Sequence, residues 1–173
     1  NGIKLGNESA QGEAYLTFQA YVNKLRERGI ILAVCSKNNH EIAKEGFTHS
    51  DSILKFEDFT SFKANWDPKY LNIENIANEI NIGLDSIVFI DDNAVERNIV
   101  QSQLPSVSVP EIGDDILNFI DYIERNNYFE VVNLSNDDLN RNKFYKENII
   151  RKKQKAAFEN YDQFLLSLKM NAA

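Results

Sequence analysis

The sequence has one cysteine, Cys35, so no internal disulfide can form and a reducing, cytoplasmic setting is the expectation. Histidine is nearly as scarce. His40 and His49 are the only two, and neither stands at metal-ligand spacing with Cys35, which argues against a zinc site. No apolar run is long enough to span a bilayer and no signal-peptide pattern is present, so no membrane partner is expected. An excess of positive charge is missing as well. The formal net charge is -7, which excludes general nucleic-acid binding as the main task. Nothing resembles a nucleophile elbow, and no internal repeat is evident. What is present is enough for a core: hydrophobic residues make up 43% and aromatic residues 11% of 173 positions, the scale of one domain with a short appendage. The first residue is Asn1 rather than methionine, so the expectation is a fragment, a processed chain or a missing start.

The chain is organised around Ser86-Ile87-Val88-Phe89-Ile90-Asp91-Asp92-Asn93. Ile87 to Ile90 is a short apolar run, β-branched or aromatic throughout, which suits a parallel strand covered on both faces. Asp91 and Asp92 then fall at its carboxyl end, where open α/β sheets bind ligands. Adjacent carboxylates repel unless a cation or hydrogen-bond donors neutralise them. Mg²⁺ with a phosphorylated substrate is a natural neutraliser, because Mg²⁺ binds through only one or two carboxylates. The plain alternative is a solvated turn, with Asn93 capping the next helix and Glu96 completing a capping box.

Upstream, Gly12 to Arg28 has the apolar face of a helix, stopped by Gly29. Ile30 to Val34 reads as a buried strand that ends in Cys35-Ser36-Lys37-Asn38-Asn39. The Ser36 hydroxyl and the backbone amides after it can hold a phosphate oxygen, or Ser36 can cap a helix over residues 39–45. Ile53 to Phe56 reads as a third strand. In the segment after it, Phe59, Phe62 and Trp66 are spaced to pack on one side. Tyr70 to Ile80 has a helical pattern with Pro68 at its start. Lys69 lies in the first turn, where the helix dipole disfavours a cation. It is either solvated or intended for an anion bound there. Ala94 to Gln103 and Asp114 to Arg125 read as helices, and Val107 to Pro110 as a short strand. The alternation predicts an α/β fold with a doubly wound parallel sheet. From Asn136 the chain turns polar. Helices are expected over 137–160 and 161–168, the first carrying the basic cluster Arg151-Lys152-Lys153-Gln154-Lys155.

Ser36 after one strand, Lys69 at a helix start and Asp91-Asp92 after a later strand together resemble the haloacid dehalogenase (HAD) superfamily. The strings Ala33-Val34-Cys35-Ser36-Lys37-Asn38, Phe62-Lys63-Ala64-Asn65-Trp66 and Gly83 to Asn93 resemble its FkbH-like branch (subfamily IIIC). The resemblance covers nearly the whole chain. It implies a Rossmann-type, HAD-like core over 1–133 and a helical extension or linker over 134–173. It also implies Mg²⁺-dependent phosphatase or phosphotransferase chemistry on a phosphorylated small molecule. Ser36, Lys69 and Asp91 would be catalytic; Ser36, Lys37, Asn38 and Lys69 would bind phosphate; Asp91 and Asp92 would bind the metal. The branch is linked to loading a glyceryl unit from a phosphoglycerate onto an acyl-carrier protein with release of phosphate. Cys35 is then the candidate acyl-accepting thiol, or else a small buried hydrophobe.

The superfamily's nucleophile motif, Asp-x-Asp-x-Thr, does not occur in these residues. The segment from Asn1 resembles the stretch on the carboxyl side of that motif, so the aspartates and the central strand bearing them would lie before Asn1. A sheet without that strand should hold a large apolar slot. The competing expectation is a degenerate domain that docks a carrier protein or a neighbouring domain without catalysis.

Overall fold

The computed structural model describes residues 10–130 and 136–157. Its elements run in the order α1 (Ala10–Glu27), β1 (Ala33–Lys37), α2 (His40–Thr48), β2 (Ser61–Asn65), α3 (Lys69–Ile80), α4 (Ala94–Gln103), α5 (Phe119–Arg125) and α6 (Asn136–Ala157). None of the described helices is long and apolar enough to cross a membrane.

The helices end where local chemistry dictates. Gly29, at φ 91°, lets the chain leave α1, and the Ile30 amide closes back on the Leu25 carbonyl at 3.1 Å. The Asn39 side chain caps α2, accepting from the amides of Glu41 and Ile42 at 3.0 and 3.4 Å. Asn93 caps α4 through the Val95 amide at 2.9 Å. Glu96 does not complete a capping box there; it reaches Lys37 instead, at 2.6 Å. The helix expected over 114–125 is divided into a 3₁₀ turn at Ile116–Asn118, capped by Asp115, and then α5.

The strands depart further from expectation. The strand predicted at 30–34 runs over Ala33–Lys37, because those residues pair in parallel with β2, from Ala33 opposite Ser61 to Lys37 opposite Asn65. Ile53 to Phe56 is not a strand. The Gln19 carboxamide oxygen, projecting from α1, accepts the amides of Ile53 and Leu54 at 2.9 and 3.1 Å and so takes the donors a ladder would need. The strand lies instead at Ser61–Asn65. There Phe62 packs against Phe47, Phe56 and Phe59, with ring centroids 5.0–6.0 Å apart. Trp66 does not join them and is 74% exposed.

Ile87 to Ile90 is extended, but among the described residues it makes only a parallel bridge, Val88 with Ser108. The Phe89 amide donates to the Ser108 carbonyl at 2.8 Å, and the Ser108 amide donates to the Ile87 carbonyl at 3.0 Å. Its side chains alternate between two cores. Phe89 packs with Ile73, Val100, Leu104 and Val107 of the α3–α4 side. Ile90 packs with Ala14, Ile116, Phe119 and Ile123 of the α1–α5 side. Helices therefore cover both faces of a parallel α/β arrangement. The doubly wound sheet itself is not assembled among the described residues, which form one two-stranded sheet and that bridge.

Between the unladdered edge of β1 and the Ile87–Ile90 segment lies a cavity of about 950 Å³. Ile31, Val34, Val88 and Ile90 line it and stay only half-buried. α6 sets Ile149 against Ile76 and Ile80 of α3 and supplies no strand. The helix expected over 161–168 lies outside the described residues.

An ion cluster joins β2, α3 and α6: Glu79 meets Lys63 and Lys153, each at 3.0 Å, and accepts the Ser61 hydroxyl at 2.7 Å. Burial alone would raise its pKa, but these donors prevail and hold it at about 2, below the ordinary 4.5. A depressed carboxylate stabilises the fold above its unfolded pKa and stops doing so as pH falls toward its folded one. Glu79→Gln is thus expected to lower the thermal midpoint at pH 7, with the gap to the parent closing between about pH 4.5 and 2 in a melting series.

Candidate active site

The site forms where β1 and the Ile87–Ile90 segment end and α3 begins. Lys69 is the first residue of α3, and its ammonium donates to the Asp91 carboxylate. The two side chains are 11% and 5% exposed, so each charge is the other's main compensation. The helix start that disfavours Lys69 is offset by this partner. The second Asp91 oxygen accepts the Asn93 amide at 2.9 Å, and the Asp91 carbonyl accepts Arg97 Nη1 at 2.8 Å. Asp92 is exposed and faces the cavity. Among the described residues it has no ion-pair partner.

Ser36 sits within β1, opposite Ala64, rather than after the strand. Asn39 is the cap of α2, so Ser36 does not serve that role. Its hydroxyl makes no hydrogen bond to another described residue, and it lines the cavity together with Cys35, Lys69, Asp91 and Asp92. These five residues are the sequence candidates that the fold brings together.

Lys37 and Asn38 are placed otherwise. Lys37 is committed to Glu96, itself only 8% exposed, and the Asn38 carboxamide oxygen accepts the next amide, that of Asn39, at 2.8 Å. Neither lines the cavity. Cys35 donates to the Lys69 carbonyl at 3.6 Å. Burial, with Asp91 and Glu96 nearby, outweighs the Lys69 charge and pushes its thiol up to about 11. The shift leaves less thiolate at neutral pH than an ordinary cysteine carries.

Two contributors carried no sequence signal. Arg97 is 3% exposed and ties the Asp91 carbonyl to the Gly113 carbonyl at 2.9 Å and to Glu111 at 2.6 Å. On a helix of mixed composition a buried arginine reads like a surface one. Tyr15 of α1 lines the cavity, and its pKa is raised by burial and then by the Asp92 charge. It lies in the helix expected over 12–28, where nothing in the local pattern marked it as a site residue.

The arrangement defines an α/β domain that gathers two carboxylates, a lysine and a hydroxyl at the carboxyl ends of parallel segments, a geometry suited to binding an anion through a cation. The chain is similar to a solved structure, the N-terminal part of the protein BF1531 from Bacteroides fragilis, described as containing a phosphatase domain complexed with Mg. Identity is 45% over 75% of this chain, with a TM-score of 0.71. The match spans 35% of the length of that other chain. Comparisons with protein families and with curated proteins found no match.

Removing one member of a buried ion pair strands the other charge, at a cost of about 3–5 kcal/mol. Lys69→Met should destabilise by that order in denaturant titrations, and adding Asp91→Leu should recover a large part of the loss. A double variant no more stable than the single one would show that Asp91 does not depend on Lys69.

Proposed function

We propose that this chain forms most of the phosphate-handling centre of a Mg²⁺-dependent phosphatase of the HAD type, in its FkbH-like branch. The observation that carries this reading is the joint placement of Ser36, Lys69, Asp91 and Asp92 on one cavity, in a fold shared with a phosphatase domain crystallised with Mg.

Each residue has a task suited to its surroundings. The Ser36 hydroxyl, with no other described partner, holds a phosphoryl oxygen. Lys69 neutralises negative charge on the phosphoryl group, and Asp91 keeps its ammonium aimed when no substrate is present. Arg97 and the Asn93 amide fix the turn that carries both carboxylates. Among the described residues no cluster of three or more His, Cys, Asp or Glu forms a ready metal cage. Mg²⁺ does not need one, since it keeps several waters and takes one or two carboxylates plus substrate phosphate. Exposed Asp92 would hold the ion directly, and Asp91, with both oxygens engaged, directly or through water. Bound there, the ion would supply charge stabilisation to the transferring phosphoryl group.

The cavity supports a further part of the reading. β1 and the Ile87–Ile90 segment end at the same place, and each borders the cavity along one edge. A parallel strand between them would deliver its last residues beside Ser36, Lys69 and Asp92. The resemblance supplies the content: a strand ending in Asp-x-Asp-x-Thr, whose first aspartate would attack phosphorus. Loading of a glyceryl unit onto an acyl-carrier protein is the finest level of this proposal. It rests on the resemblance alone.

The test uses a protein that joins this chain to such a strand. Asp92→Asn removes charge at an exposed cavity position with almost no change of volume. Phosphate release should fall by about 100-fold or more, the scale of losing one electrostatic stabiliser. The Mg²⁺-induced rise in thermal midpoint should shrink, because a ligand stabilises only through binding the native state. Undiminished release and an equal Mg²⁺ response in the variant would refute the assignment.

A further inference from the structure

The candidate site takes its cation from one helix layer, since Lys69 opens α3. The wall facing it belongs to α1 and to the segment that leads into α5. Arg97 pins that wall to the site, because its Nη1 donates to the Asp91 carbonyl and to the Gly113 carbonyl, at 2.8 and 2.9 Å. Two backbones are thus held on one nitrogen. The residues that follow them, Asp92 and Asp114, are both exposed and both line the cavity.

Tyr15 of α1 lies on this wall. It packs against the cluster of Ala14, Ile112, Ile116, Phe119 and Ile123, which Ile90 also joins. Ile90 and Ile112 directly precede the two residues that Arg97 holds, so the ring is seated beneath the pinned pair of backbones. Tyr15 is itself a lining residue of the cavity, and the charge of Asp92 acts on its hydroxyl. That charge and burial both hold the phenolic proton in place, so the group is a neutral donor at pH 7. No hydrogen bond joins it to a described residue, Asp92 included. Two polar groups that act on each other without direct contact are suited to sharing water.

We propose that Tyr15 is a positioning residue of the cation site: its hydroxyl, acting through water, steadies the Asp92 carboxylate and the hydration shell of the Mg²⁺ held there. This inference rests on the metal assignment made above. Mg²⁺ keeps several of its waters. Groups that orient a metal's ligands without touching the metal commonly carry about 10- to 100-fold in affinity or activity. A neutral phenol does this without adding a charge that would compete with the ion or with the phosphoryl group.

The experiment compares the strand-completed parent with Tyr15→Phe, which removes the hydroxyl and keeps the ring packing. Calorimetric titration with MgCl₂ should give a dissociation constant raised about tenfold. The metal-free thermal midpoint should stay at the parent value, because the hydroxyl has no described partner to lose. The deficit in phosphate release should shrink as Mg²⁺ is raised, with KM for the phosphomonoester at saturating Mg²⁺ unchanged. A parent that binds no Mg²⁺ refutes the metal assignment itself. A parent that binds Mg²⁺, with equal affinity in Tyr15→Phe, overturns only the role of Tyr15. A lowered metal-free midpoint in Tyr15→Phe would assign the hydroxyl to the fold, and a raised KM at saturating Mg²⁺ would assign it to the substrate; either result overturns the proposal.

Discussion

The buried pair of Lys69 and Asp91 is the contact on which the rest of the site depends. It joins the first residue of α3 to the end of the Ile87–Ile90 segment, two places far apart in sequence, with both charges nearly withdrawn from water. Such a pair contributes little net stability against an apolar substitute, but its geometry is specific, because neither charge has another partner of equal quality. Asp91 carries more than the ion pair. Its second oxygen accepts the Asn93 amide, and its carbonyl receives Arg97. Both carboxylates line the cavity, but Asp91 is buried with both oxygens engaged, whereas Asp92 is exposed.

The second organising constraint is the cavity. Strand residues in a parallel sheet are normally paired on both edges and covered on both faces. Here the faces are covered, by α1 and α5 on one side and α3 and α4 on the other, while among the described residues β1 pairs only with β2 and the Ile87–Ile90 segment only with Ser108. Several of its apolar side chains are half-buried for that reason. The helix layers are held apart by the side chains of Phe89 and Ile90, pointing in opposite directions from adjacent residues, and the polar groups collect at the one end of this space.

The parts that were legible beforehand share a property. α3 and α4 were read to within a residue, and the ends of α1 to within a few, because helix faces and caps are set by residues within about four positions of one another. The strands were read less well. Ile53 to Phe56 has strand composition, but Gln19 takes its amides; Ser61 to Asn65 looked like a packing segment, but Ala33–Lys37 supplies its ladder. Trp66 was expected to pack with Phe59 and Phe62 on the strength of spacing, and the turn held by Asn65 and Asn72 turns it outward.

The sequence by itself determined α1, α3 and α4, the Asn93 cap, the apolar run that stops at two aspartates, and the order of Ser36, Lys69 and Asp91-Asp92 along an α/β chain. These arise from interactions local enough to be read in one dimension. Only the tertiary structure decided which cation meets which carboxylate: Lys69 goes to Asp91, whereas Lys37 is drawn off to Glu96. It also decided that Arg97 is buried beneath the site and that burial pushes the Cys35 thiol up. Charge pairing, strand pairing and desolvation depend on residues tens of positions apart, and no local pattern encodes which of several like side chains will arrive first.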